Sequence, residues 1–267
     1  EFNQSNDMKV LFIGDIVGSP GRKIIKDELA YLRKQESVDF AVANAENAAS
    51  GSGLTAGITE ELLSYHLDCL TTGDHIWAKK DVLNIIDKEP RLLRPANYPD
   101  GVPGSGSVIL PAASGVKVAV LNLQGRVFMN AIECPFKAGL QEIEILKKET
   151  NLIIVDIHAE ATSEKQALGL WLDGKVSAVL GTHTHVQTAD ERVLPGGTAF
   201  ISDVGMTGPF ESVLGRNIDS VLRRFLTSIP VRMEVAESDL RIEGVVIDID
   251  KDTGKALSIK RLEHKAG

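Results

Sequence analysis

Residues 176–185 run Val-Ser-Ala-Val-Leu-Gly-Thr-His-Thr-His. The first five read as a buried strand, and the two imidazoles sit where that strand runs out into a loop. In an extended chain residues i and i+2 point to the same side, so His183 and His185 are expected to face one cleft and grip metal there. A lone His-x-His pair is equally well an ordinary surface or hydrogen-bonded pair. This one stands out because other strand ends in the chain carry ligand-type residues too.

Four apolar segments are each followed at once by acidic or histidine-bearing residues. They are Phe12-Ile13-Gly14-Asp15, Ala43-Asn44-Ala45-Glu46-Asn47, Thr71-Thr72-Gly73-Asp74-His75 and Ile154-Val155-Asp156-Ile157-His158. In open α/β sheets ligands bind outside the carboxyl ends of the strands. Asp15, Glu46, Asn47, Asp74, His75, His158, His183 and His185 are therefore expected to converge. Nitrogen and oxygen donors without thiolates suit iron, manganese or zinc. So many donors exceed the need of one ion, which implies two ions about 3.5 Å apart sharing a carboxylate. Such a pair clamps a phosphate and acidifies a bridging water, giving a hydroxide nucleophile near neutral pH. Singly, each residue has a plainer reading: Asp15 as a cap on the next helix, Asp74-His75 as a turn, His158 as a satisfied core histidine. Glu46 is harder to explain away, because burying a carboxylate without a partner is costly. Taken together, the plain readings are the poorer account.

Around these motifs, apolar β-branched segments alternate with amphipathic ones. Strands are expected at Val10–Ile13, Phe40–Ala45, Cys69–Thr72, Val116–Leu121, Leu152–Ile157 and Val176–Leu180. Helices are expected at Arg22–Gln35, Thr59–Leu67, Lys79–Asp87, Lys137–Glu149 and Ser163–Leu172. Residues 91–115, rich in Pro and Gly, read as an irregular excursion. Short strands follow near Glu191–Leu194 and Thr198–Ile201, then a helix at Ile218–Thr227. The tail alternates at Val231–Ala236, Arg241–Asp250 and Lys255–Leu262, with a hairpin turn at Asp252-Thr253-Gly254. Together these imply an α/β fold, a two-sheet sandwich flanked by helices, in one domain over 8–267. Residues 1–7 read as an expression scar, with the native chain beginning at Met8.

The 267 residues, 43% apolar and 25% charged, suit a soluble globular protein with a substantial core. A formal charge of −8 argues against an extended nucleic-acid or anionic-membrane surface. It leaves room for a small anionic substrate, since bound metal reverses the sign locally. No apolar run approaches the roughly 20 residues of a membrane helix. Two cysteines, Cys69 and Cys134, without CxxC spacing, point to a reduced, cytoplasmic protein.

The chain resembles the calcineurin-like metallophosphoesterases, and within them the bacterial YmdB-like phosphodiesterases. The resemblance rests on ordered stretches from Met8 onward: residues 10–22, Ala45-Glu46-Asn47, 73–77, 122–129, 156–165, 181–186 and 203–209. It implies a four-layer α/β-β-α sandwich, a homo-oligomer, and hydrolysis of cyclic nucleotides such as 2′,3′-cyclic AMP. It also implies two transition metals, iron foremost with manganese or zinc as alternatives. Carried over by motif, Asp15, Glu46, Asn47 and His185 would hold the first metal. Glu46 would bridge to the second, completed by Asp74, His158 and His183, and His75 would be the general acid. Two departures stand out. The wider superfamily's Asp-x-His is here Asp15-Ile16-Val17, so Asn47 would supply the missing ligand. The family's Gly-Asn-His is here Gly73-Asp74-His75, an added anion that should hold the second metal tighter.

Arg126, after a strand and Gly125, could meet a substrate phosphate or be a surface arginine. Glu160, Thr162 and Ser163 are either partners of the metal ligands or a helix N-terminus. The competing reading is a dinucleotide-binding protein, with Gly14, Gly18 and Gly21 after a strand. Its spacing is G-x3-G-x2-G rather than G-x-G-x2-G, and it leaves the histidines idle. An amidohydrolase barrel also uses His-x-His, but typically on its first strand.

Overall fold

The computed structural model describes residues 7–266; the expected scar lies outside them except for Asp7, which opens the first strand. The chain runs β1 (Asp7–Ile13), β2 (Asp15–Ile16), α1 (Gly18–Gln35), β3 (Phe40–Asn44), α2 (Ala56–Ser64) and β4 (Cys69–Thr71). A short 3-10 helix (Lys80–Asn84) leads into the Pro- and Gly-rich excursion, from which β5 (Ser107–Pro111) emerges to pair with β6 (Lys117–Gln124). Next come α3 (Pro135–Leu146), β7 (Ile153–His158), α4 (Thr162–Trp171) and β8 (Ala178–Thr182). The chain closes with β9 (Arg192–Val193), β10 (Ala199–Ile201), β11 (Met206–Pro209), α5 (Ile218–Thr227), β12 (Leu240–Asp250) and β13 (Ala256–Lys265).

Two mixed sheets result, one in the order β2-β11-β12-β1-β3-β4 with β13 on β12, the other β5-β6-β7-β8-β10-β9. Strand alternation then divides the core into layers. Val10 and Phe12 of β1 meet Val118, Val120, Ile154 and Leu180 between the sheets. Their neighbours Leu11 and Ile13 face outward onto Ile24, Ile25 and Leu29 of α1. On the far side Leu121, Ile153 and Val155 pack against Ile143 of α3 and Leu168 of α4. Strands buried on both faces carry no polar alternation, which is why they read as continuous apolar runs. The four-layer α/β-β-α sandwich is the fold.

Besides the unexpected strands β2 and β11, three expected segments differ. Lys79–Asp87 forms only the 3-10 turn, in which the Asp81 carboxylate accepts both the Ala56 amide at 2.7 Å and the Asn84 side-chain amide at 3.0 Å. Val231–Ala236 is no strand; it is pinned to residues 215–217 by Asn217 N–H donating to the Glu234 carbonyl and Ala236 N–H to that of Gly215. Helix α1 begins at Gly18 rather than Arg22. Its first amide, that of Gly18, donates to the Asn47 carbonyl, while Val17 donates to Thr207. A Cβ on Gly14 would collide with the Gly205 carbonyl, and one on Gly21 with that of Thr207. These glycines therefore admit β11, not a pyrophosphate, and the dinucleotide reading loses its cradle.

Candidate metal centre

Every sequence-derived ligand sits at a carboxyl strand end, and the two sheets contribute from opposite sides. Asp15 opens β2, Glu46 and Asn47 follow β3, and Asp74 and His75 follow β4. From the second sheet, His158 ends β7, and His183 and His185 follow β8. Gly73 has to be glycine for this meeting, since a Cβ there would overlap the His158 ring.

Four of these residues close on one point. Ligand atoms of Glu46, Asp74, His158 and His183 all lie within 4.8 Å of one another. His158 Nε2 is 3.0 Å from Glu46 Oε1, 3.3 Å from Asp74 Oδ1 and 2.9 Å from His183 Nδ1. Asp74 Oδ1 is buried and accepts no hydrogen bond; His158 Nε2 is near it but not aligned to donate. A buried carboxylate oxygen without a donor, beside two imidazole nitrogens aimed at each other, is a donor set complete only with a cation. The mixed N/O chemistry fits a divalent transition ion.

A second set adjoins it across Glu46. His185 Nε2 is 3.7 Å from Asp15 Oδ1 and 3.1 Å from Asn47 Nδ2. Asn47 Nδ2 in turn lies 3.4 Å from Asp15 Oδ1 and 3.5 Å from Glu46 Oε1. A half-turn of that amide would present its oxygen to the same point. His185 Nδ1 donates to the Leu214 carbonyl at 3.2 Å, which leaves Nε2 free as an acceptor.

The two imidazoles of the His-x-His pair do not share a side by strand alternation. Both residues lie beyond β8 in backbone conformations with φ of 103° and 63°. His183 turns toward His158, and His185 toward Asp15. The turn is held by carboxylates: Asp15 Oδ2 accepts the His183 amide at 3.1 Å, and Asp203 Oδ2 accepts the Thr184 amide at 3.0 Å and hydroxyl at 2.7 Å.

Burial and neighbours set the charges. Burial pushes the Asp15 carboxyl up to about 7, although His158 opposes the shift. Burial acts likewise on Glu46, but the imidazoles of His158 and His75 outweigh it and hold that carboxyl well below its ordinary value. Asp74 is also lowered, by His158 against the effect of burial. The hydrogen bond to Glu46 raises His75 above its ordinary value against burial. His75 Nδ1 lies 3.1 Å from Asn47 Oδ1 and 3.3 Å from Glu46 Oε1.

Sequence reasoning missed the supports behind these residues. His158 Nδ1 meets Thr182 Oγ1 at 2.9 Å, and that hydroxyl donates to Asp156 at 2.7 Å. Asp156 also receives Thr71 and Asn44 from the opposite sheet, and burial raises its carboxyl to about 6. The signal for Asp156 was present, two residues before His158 on the same face of β7. Lys165 and Asp203, both buried, pair at 2.8 Å behind the histidine turn. Glu160, by contrast, was named from the sequence as a possible partner of the ligands, and it stands 3.2 Å from His183 Nε2. The amides of Arg126 and Val127 donate to Glu164, and the Arg126 side chain is exposed and does not line the cavity over the metal-ligand candidates.

The YmdB-like protein family model matches residues 11–262. The chain belongs to the YmdB-like protein family. It is 49% identical over 255 residues to the 2′,3′-cyclic-nucleotide 2′-phosphodiesterase of Bacillus subtilis strain 168, covering 96% of each chain. A crystal structure of a novel phosphatase from Mycoplasma pneumoniae superposes with a TM-score of 0.90 at 35% identity, over 97% of this chain and 94% of that one. A hypothetical protein from Thermus thermophilus does so with a TM-score of 0.90 at 37% identity, over 97% and 100%. The likeness to these proteins thus spans both sheets.

Proposed function

We propose that this YmdB-like protein is a metal-dependent phosphodiesterase of small phosphoesters, with cyclic nucleotides such as 2′,3′-cyclic AMP as substrates. The observation that carries the reading is Glu46: one buried carboxylate stands between the Asp74-His158-His183 set and the Asp15-Asn47-His185 set. The name of the B. subtilis relative supports the ester class. Asp15, Glu46, Asn47 and His185 would hold one ion, and Glu46, Asp74, His158 and His183 a second, with iron first, then manganese or zinc. When bound, two such ions neutralise phosphate charge and make water acidic enough to serve as a nucleophile near pH 7.

His75 supplies the proton. It lines the cavity over the metal ligands, with Nδ1 turned to Asn47 and Glu46, which leaves Nε2 for the leaving oxygen. A general acid works while protonated. Activity falls as pH climbs through the His75 pKa, which the hydrogen bond to Glu46 raises in the metal-free protein and ions held by Glu46 would lower. His75→Ala, assayed on 2′,3′-cyclic, 3′,5′-cyclic and linear phosphoesters with iron- and manganese-loaded protein, is expected to lose on the order of 10²–10⁴-fold in turnover. The alkaline decline should vanish with it. A variant equal to wild type on every ester cleaved would remove His75 from the mechanism.

We take one domain over 8–267 to carry this activity, in a cytoplasmic homo-oligomer. Both cysteines are free thiols, and among the described residues no helix is long and apolar enough to cross a membrane.

A further inference from the structure

Helix α5 is built against the usual rule for a surface helix. It carries Ile218, Val221, Leu222, Phe225 and Leu226, yet only Val221 is buried. It is ordered by its ends instead: the Asn217 side chain accepts the Ser220 amide, and Ser228 closes the helix in a left-handed conformation. Phe225 is 80% exposed, a large apolar area to leave in water unless something covers it.

What lies beside Phe225 is the metal centre. A cavity of about 520 Å³ has Glu46, Asn47, His75, His183 and His185 on one side. On the other it has Leu214, Arg216, Val221, Arg224, Phe225 and Met233. Val221, Arg224 and Phe225 are spaced three and four apart, so one stripe of α5 faces in. The same wall carries two cations without a carboxylate partner. The Arg216 guanidinium donates to the carbonyls of Ser50, Gly51 and Met233, and Arg224 makes no ion pair among the described residues. A place for an anionic group on the metal-ligand side, with an aromatic face and positive charge on the opposite wall, describes a mononucleotide.

We propose that the α5 wall is a nucleobase subsite, in which Phe225 packs on the base of the nucleotide whose phosphate meets the metal ligands. This rests on the phosphodiesterase reading and adds what selects the substrate. Every base presents a π-face, so an aromatic platform favours nucleotides over baseless esters without choosing among bases.

Two substrates with the same reacting atoms test it: 2′,3′-cyclic AMP and methyl riboside 2′,3′-cyclic phosphate, which lacks the base. Wild type should prefer the nucleotide, and Phe225→Ala should cut the ratio of the two kcat/KM values about tenfold or more, through KM, with Phe225→Trp restoring it. Calorimetric binding of adenosine 3′-monophosphate to the metal-loaded protein gives a readout without turnover, and Phe225→Ala should weaken it by a similar factor. An equal loss on both esters, unchanged nucleotide binding, or a changed oligomeric mass in Phe225→Ala overturns the subsite. If wild type cleaves neither ester, the phosphodiesterase reading fails by itself, and nucleotide binding still decides the role of Phe225.

Discussion

Asp74 is the side chain with most at stake in this centre. Its buried Oδ1 has no aligned donor, and only the partly exposed rim of the residue reaches water. A cation would complete its pairing, and without one the His158 imidazole at 3.3 Å is its main partner. Asp74→Asn keeps an oxygen in place and removes one negative charge. We expect the ion held with His158 and His183 to bind about tenfold more weakly or worse, and the metal-stripped variant to melt below metal-stripped wild type, because the His158 imidazole that lowers the Asp74 carboxyl loses an anionic partner. Calorimetric titration with Mn²⁺ and thermal melts of stripped protein check both; identical affinity and melting would show that the carboxylate charge is immaterial. At this scale the sequence was informative wherever a ligand type stood at a strand end. It was uninformative for Arg126, whose loop is turned by two amides bonding to the distant Glu164, a contact no local pattern encodes.

At the scale of elements, the β8 turn shows both the reach and the limit of periodicity. The apolar run before it marked the strand correctly, and the strand end marked the candidate ligands. The two-residue alternation rule then failed, because His183 and His185 have left extended geometry altogether. What holds them is an ion pair: Lys165 on α4 neutralises Asp203, which grips Thr184 between the two histidines and, through Oδ1, the Gly205 amide at 2.9 Å. Asp203→Asn would leave the Lys165 charge buried and unpaired, at a cost of about 3 kcal/mol or more. Denaturant unfolding of that variant, with Lys165→Met/Asp203→Asn recovering much of the loss, is the expected pattern. A single variant within about 0.5 kcal/mol of wild type would mean that the pair does not stabilise the turn. Helix α5 was legible as a helix, but not its purpose, since the cavity it faces is completed by Glu46, Asn47 and His75 from far upstream in the chain.

Over the whole molecule, the apolar runs foretold strands buried on both faces and therefore helices on both sides of paired sheets. The order of strands was not foretold. β12 comes from the far end of the chain to lie antiparallel between β1 and β11, and only long-range pairing decides that. That order brings the carboxyl ends of two sheets together, so that carboxylates of the first meet histidines of the second. We propose that this seam would hold two ions, one in each ligand set on either side of Glu46. Elemental analysis after anaerobic loading with Fe(II) or Mn(II) tests it directly. About two transition ions per chain are expected, falling to about one in His185→Ala and, independently, in His158→Ala. A wild-type protein that binds no ion, or a single ion that survives both substitutions, would contradict it.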